Sequence, residues 1–281
     1  MSQYIHDQGS FEGVGGQKIY FQFFKPKAYR NVIIFVHSMG EHGGRYLFPI
    51  EYFIDRKIAF YGLDLRGHGK SSGKRGHIDS FFDYLNDLQT FHNIVIKREG
   101  DVRFFMLGCG LGGLILVRYV EEHPDSLSGA ITISASLKLR HVVSPFTAYV
   151  GDKLSRYLPR FSMTNEIDPV NLTHDKDVVK KYMEDELVHN KVTVRFFTEC
   201  SEAMKVAFQK AETVTLPFLI MHAGNDLVVS PDGSKEFYEK IASTDKTLLI
   251  YQGLFHEILN ELDRVAVYKD MEKWLTPRLL K

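Results

Sequence analysis

Apolar residues return along the chain in two alternating rhythms. Short runs that are apolar almost throughout are separated by longer stretches in which apolar residues recur every three or four positions. The short runs predict strands over Gln17–Phe24, Asn31–His37, Ala59–Leu65, Val102–Gly108, Ala130–Ala135, Pro217–Ala223 and Lys246–Tyr251. Asn31–His37 has almost no polar alternation, the signature of a strand buried on both faces. The longer stretches predict helices over Asp79–Lys97, with Phe82, Leu85, Leu88 and Phe91 on one face, over Leu111–His123, and near Pro231–Ala242 and Arg264–Leu275. Strands and helices alternating at this spacing predict an α/β protein with a mostly parallel central sheet flanked by helices on both faces. Ligands of such sheets bind beyond the carboxyl ends of the strands, so the residues just after each strand are the first place to look for chemistry.

Between residues 137 and 215 the rhythm breaks and no strong strand pattern occurs. Ser144-Pro145 reads as an N-cap followed by proline at the first helical position. Phe146, Tyr149, Val150, Leu154, Tyr157 and Leu158 then share one helical face, and Asp175–Glu186 and Val192–Ala211 also read as helices. The expected organisation is a core of residues 1–136 and 216–281 with a helical cap, or lid, at 137–215. Its apolar faces would line an acyl pocket, with Phe146, Tyr149 and Val150 touching substrate; the plainer alternative is that they only pack onto the core.

Composition narrows the class. A chain of 281 residues can form one large domain with an insertion and needs no disulfide or metal staple. Hydrophobic residues at 44% and charged residues at 25% exclude disorder. Lys+Arg and Asp+Glu both number 35, so there is no basic footprint for nucleic acid. Cys109 and Cys200 allow at most one bridge, which points to a reducing compartment. The amino terminus is too polar for a secretory signal, and no apolar run reaches the roughly 18 residues of a membrane span. A soluble cytoplasmic protein is expected, with transient contact at a membrane surface left open and the oligomeric state unspecified.

The glycine cluster after the Val102–Gly108 strand has two readings. Gly108, Gly110 and Gly113 spell G-x-G-x-x-G between a strand and a helix, as in dinucleotide-binding folds. That reading also wants an acid at the end of the next strand, and Thr132–Leu137 contains none. The same residues match a nucleophile elbow, G-x-S-x-G, at Gly108 and Gly112, with Gly110 in place of the central serine. Three loops at strand ends favour the elbow. His37-Ser38-Met39-Gly40 is an H-x-x-G loop suited to an oxyanion donor, Asp226 lies in Gly224-Asn225-Asp226, and His256 lies in Phe255-His256-Glu257. The order elbow, Asp, His is that of α/β-hydrolases. Cys109 sits one residue too early to replace the nucleophile and reads as a small buried hydrophobe.

Phe35–Tyr46 resembles the oxyanion loop of monoacylglycerol lipases and lysophospholipases, and Asp64–Gly73 is similar to the D-x-R-G-H-G-x-S-x-G loop of the same group. Lys70-Ser71 fails as a P-loop because the first required glycine is Asp64. The likeness runs from about residue 10 to residue 277 and includes Val188-His189 and Arg195-Phe196-Phe197. It implies an α/β-hydrolase fold, backbone oxyanion donors at Met39 and Leu111, an acid at Asp226, a base at His256, and the nucleophile position at Gly110. It further implies hydrolysis of monoacyl esters through an acyl-enzyme, without metal or organic cofactor, with His37 and Ser38 beside the substrate. Gly110 has no hydroxyl, so the chain as written is expected to form no acyl-enzyme and to be inactive. A Ser→Gly exchange made to hold substrate unreacted fits the otherwise intact machinery. The alternatives are a non-catalytic hydrolase-fold lipid binder, or a small-ester or aminoacyl hydrolase using Glu166, Asp168 and acids near Asp185.

Overall fold

The computed structural model describes residues 4–140, 153–165 and 167–280. Ser144, Pro145, Phe146, Tyr149, Val150 and Glu166 therefore lie outside the described residues.

The chain opens with an antiparallel pair, β1 (Tyr4–Glu12) and β2 (Lys18–Pro26). It continues through β3 (Asn31–Val36), α1 (Leu47–Ile54), β4 (Ile58–Leu63), α2 (Phe82–Glu99), β5 (Arg103–Cys109), α3 (Leu111–Glu122) and β6 (Gly129–Ile133). Then come β7 (Ser162–Thr164), α4 (Lys176–Glu184), β8 (Lys191–Thr193) and α5 (Val194–Gln209). The last elements are β9 (Phe218–Ala223), α6 (Pro231–Lys240), β10 (Lys246–Tyr251) and α7 (Arg264–Leu275). Eight strands form one sheet in the order β1-β2-β4-β3-β5-β6-β9-β10. β2 meets β4 antiparallel, and every pairing from β4 to β10 is parallel.

The two-faced burial expected of β3 is realised residue by residue. Val32, Ile34 and Val36 enter the core beneath α2, α3 and α5, while Ile33 and Phe35 enter the core beneath α1 and α7. β5 divides in the same way, with Phe104 and Met106 on one side and Phe105, Leu107 and Cys109 on the other.

Four elements differ from the pattern-based expectation. β1 was not predicted: it is an edge strand, mostly exposed and largely polar, held by nine residues of register with β2 rather than by an apolar face. α1 was also not predicted, since its eight residues are too short to display a helical period. The cap contains a short antiparallel ribbon, β7 with β8, where no strand was expected. β8 takes the first residues of the predicted Val192–Ala211 helix, and Thr193 then caps α5 by accepting the Phe196 N–H at 3.2 Å.

Backbone contacts seat residues 189–193 on core loops. The His189 N–H donates to the Gly40 carbonyl at 2.8 Å, and the Thr193 N–H donates to the Gly76 carbonyl at 2.9 Å. A Cβ on Gly76 would meet the Lys191 carbonyl oxygen at 1.8 Å, so this approach needs glycine. Leu154, Tyr157 and Leu158, expected on a pocket-lining face, are exposed at the surface. Among the described residues no helix is long and apolar enough to cross a membrane.

Candidate active site

β5 ends at Cys109, and Gly110 turns the chain into α3 with φ +48° and ψ −115°. Its N–H donates to the Ile133 carbonyl at 3.0 Å, and its carbonyl accepts the Ser136 N–H at 2.9 Å, which ties the turn to the end of β6. The neighbouring glycines are required by contact. A Cβ on Gly108 would lie 2.3 Å from the Gly112 carbonyl oxygen, one on Gly112 would lie 2.1 Å from the Val36 carbonyl oxygen, and one on Gly113 would lie 2.7 Å from the Ala135 Cβ. Close seating of α3 against its strands thus accounts for the G-x-G-x-x-G spacing without a nucleotide.

Asp226 follows β9 and His256 follows β10, and adjacent parallel strands bring the two loops together. Gly224 N–H to Tyr251 carbonyl (2.7 Å) and Asn225 N–H to Leu254 carbonyl (3.1 Å) join them. The His256 Nδ1–H donates to Asp226 Oδ2 at 2.7 Å, while Asp226 Oδ1 accepts the N–H groups of Val228 and Val229 at 2.8 and 2.9 Å. Burial alone would push the Asp226 carboxyl up. His256, the nearby His222 and the Val229 amide outweigh it and hold the group well below the usual carboxylate range. For His256 burial pulls the imidazole down, but the Asp226 carboxylate prevails and raises it above its ordinary value. A neutral ring with its proton on Nδ1 leaves Nε2 free to accept.

Gly110 and His256 face each other. An ideal Cβ on Gly110 would lie 3.4 Å from His256 Nε2. The same point is only 2.0 Å from Ser38 Oγ and 2.9 Å from Ser38 Cβ. A serine at 110 therefore needs Ser38 to move, which the expectation of a bare Ser→Gly exchange did not foresee. The Leu111 N–H also points at Ser38 Oγ, at 3.4 Å.

His37, expected beside the substrate, is fully buried and does not line the cavity. Its Nδ1 lies 2.7 Å from the Ser38 carbonyl and its Nε2 accepts the Leu65 N–H at 2.8 Å, so it fixes the loop after β3 instead. The Asp64–Gly73 segment does the same work. Asp64 accepts the Gly43 N–H and the Lys70 N–H, each at 2.8 Å, and Arg66 forks onto Asp87 at 2.7 and 2.8 Å. Cys109 is buried and burial pushes its thiol up, which disfavours a thiolate nucleophile.

The site opens into a cavity of about 670 Å³, within the roughly 300–1,000 Å³ of small-molecule pockets. Met39, Gly110, Leu111, Val228 and His256 form its floor, while Ile167, Leu172, Val192, Phe196, Phe197 and Met204 supply apolar walls from the 137–215 segment. One end is polar. Arg45 bridges Glu41 and Glu257, reaching both Glu257 oxygens at 2.9 Å, and its guanidinium lies 4.6 Å from the Tyr182 ring centroid. Sequence reasoning missed this cluster because Glu257 and Tyr182 come from segments far from Arg45 in the chain. It also missed His222, 3.3 Å from Asp226, because a single histidine inside the apolar β9 carries no pattern of its own. Of the acids raised for an aminoacyl substrate, Asp168 lines the cavity and caps the Val170 N–H, and Asp185 pairs with His42 at 2.8 Å. Among the described residues no cluster of metal-ligating side chains occurs.

An elbow at the end of β5, an acid after β9 and a histidine after β10 on this sheet define the α/β-hydrolase class. The chain belongs to the monoacylglycerol lipase-type α/β-hydrolases of the Hydrolase_4 family, described as serine aminopeptidase S33, which matches residues 27–263. It is 30% identical to a monoacylglycerol lipase of Mycolicibacterium smegmatis over 275 residues, 96% of this chain and 97% of that protein. It is 32% identical to an uncharacterized abhydrolase domain-containing protein of Dictyostelium discoideum over 252 residues, 88% of this chain but 26% of that longer protein. The crystal structure of Paleococcus ferrophilus monoacylglycerol lipase superposes with a TM-score of 0.83 at 28% identity, covering 98% of this chain and 99% of that one.

Proposed function

We propose that the protein is a carboxylic ester hydrolase of monoacyl lipids, monoacylglycerols or lysophospholipids, with residues 137–215 acting as the lid of its acyl pocket. The observation that carries this reading is the His256–Asp226 pair aimed at the Gly110 turn on the floor of an apolar-walled cavity. In this reading the acyl chain lies against Phe196, Phe197 and Met204, and the polar head faces the Arg45 cluster. His256 takes the nucleophile's proton and returns it to the leaving alcohol. Asp226 holds the ring's tautomer and stabilises the imidazolium. The N–H groups of Met39 and Leu111 receive the charge of the tetrahedral intermediate. Residue 110 carries no hydroxyl, so turnover by this chain requires a nucleophile from elsewhere in the site.

A monoalkylglycerol ether, which cannot be hydrolysed, tests the pocket. Saturable binding by calorimetry, together with fatty-acid release from the matching ester that His256→Ala abolishes, is the expected result. Absence of ether binding overturns the reading. Gly110 favours one second reading, a lipid holder that binds the ether and releases no acid from the ester.

A further inference from the structure

We propose that Ser38, on the loop after β3, supplies the nucleophilic hydroxyl of this site, reaching across into the space that Gly110 leaves open. This rests on the reading that the cavity holds a carboxylic ester in front of His256.

The geometry points to an exchange of position. Where a side chain on the elbow would begin, Ser38 Oγ lies at 2.0 Å and His256 Nε2 at 3.4 Å. The hydroxyl and the base thus border the same small volume from two sides. The Leu111 N–H, at the start of α3, lies 3.4 Å from Ser38 Oγ, so the hydroxyl stands beside the donor that is to receive the oxyanion. The Ser38 backbone is held on both sides: its N–H donates to Glu41 Oε1 at 2.7 Å, and its carbonyl lies 2.7 Å from His37 Nδ1. The Tyr46 hydroxyl donates to the same Glu41 oxygen at 2.6 Å. With the backbone held, the hydroxyl's remaining freedom is rotation about the Ser38 Cα–Cβ bond, and contacts between nucleophile and base are often loose before substrate arrives. Gly110 is then a requirement of the arrangement, because any Cβ there would strike Ser38 Oγ.

The step balances as an acyl transfer. Ser38 Oγ attacks the ester carbonyl carbon and its proton passes to His256 Nε2. The tetrahedral oxyanion, held by the Met39 and Leu111 N–H groups, collapses with cleavage of the bond to the alcohol oxygen, which takes the proton from His256. Water, deprotonated by the same nitrogen, then adds to the Ser38 ester. The fatty acid leaves and the proton returns to Ser38 Oγ.

The full chain is treated with an alkyl fluorophosphonate and the labelled peptide is mapped by mass spectrometry. The label is expected on Ser38. Ser38→Ala is expected to lose the label and at least about 10³-fold of monoacylglycerol turnover while still binding the monoalkylglycerol ether. Ser38→Cys is expected to accumulate a mass increase equal to one acyl group, a readout that a structural role for Ser38 would not produce. Ser38→Gly combined with Gly110→Ser is expected to carry the label at 110. A label on another residue, undiminished turnover in Ser38→Ala, or ether binding by the unaltered chain with neither label nor turnover overturns the proposal. The first two outcomes leave the ester-hydrolase reading standing, whereas ether binding with neither label nor turnover overturns that reading as well and leaves the lipid holder. Loss of ether binding in the unaltered chain overturns the ester-hydrolase reading, and the proposal with it.

Discussion

At the scale of single residues, the protonation of His256 governs what the site can do. Its imidazole must be neutral to take a proton. Burial lowers its affinity for that proton and Asp226 raises it by more, so half-protonation falls above the ordinary value of about 6.5. Monoacyl-ester kcat/KM is therefore expected to fall on the acid side with an apparent pKa above that value. Asp226→Asn removes the raising charge and the tautomer lock together. It is expected to move the acid limb to lower pH and to cut kcat by about 10⁴-fold, as measured between pH 5 and 9. An acid limb that stays in place in Asp226→Asn would show that this carboxylate does not set the base. Ser38 and Gly110 make the complementary point about volume: two side chains that share one small space are intelligible only as a pair.

Secondary-structure elements act here through how closely they approach. α3 is seated so near β3 and β5 that backbone oxygens occupy the places where Cβ atoms would stand on Gly108 and Gly112. Gly112 has no unusual φ, so its replacement tests packing alone. Gly112→Ala would press a methyl group against the Val36 carbonyl oxygen at 2.1 Å and the His37 carbonyl oxygen at 2.6 Å. A cost of about 1–3 kcal/mol in urea unfolding is expected, from overpacking in a well-packed core. Because the Leu111 N–H moves with the helix, ester turnover should fall by more than this stability loss explains. An unchanged unfolding midpoint would mean that α3 can retreat freely from the loop after β3.

At the scale of the whole molecule, and among the described residues, the cavity is lined jointly by loops at the strand ends and by residues between 137 and 215. The strand-end loops bring the floor with His256 and the Arg45–Glu257 end, and α5 brings Phe196, Phe197, Cys200, Ser201 and Met204. On the proposed function, chain-length preference is set by the α5 side chains of the cavity and leaves the chemistry untouched. Met204→Trp fills part of the apolar wall and is expected to move the preferred monoacyl chain to shorter lengths, with kcat on the best substrate changed less than about threefold. A chain-length series of monoacylglycerol esters measures this. An unshifted optimum would place the acyl chain elsewhere in the cavity.

Much of this protein was legible in its sequence because burial imposes period. The almost wholly apolar β3, β4 and β9 and the striped α2 declare themselves, since a sheet covered on both faces tolerates few polar residues along its middle strands. The loops bearing Gly110, Asp226 and His256 were found by chain order, because parallel strands deliver their carboxyl ends to one edge. β1 and α1 escaped, one for want of an apolar face and the other for want of length. His37 looked like a contact residue and is an internal brace, because nothing in its own neighbourhood reveals that Leu65 would come to meet it. The sequence by itself determined the order of strands, the helices that cover them and the residues available at their ends. Only the tertiary structure decided that the Ser38 hydroxyl stands in the space before His256, because that juxtaposition depends on three loops separated along the chain and brought within a few ångströms by packing.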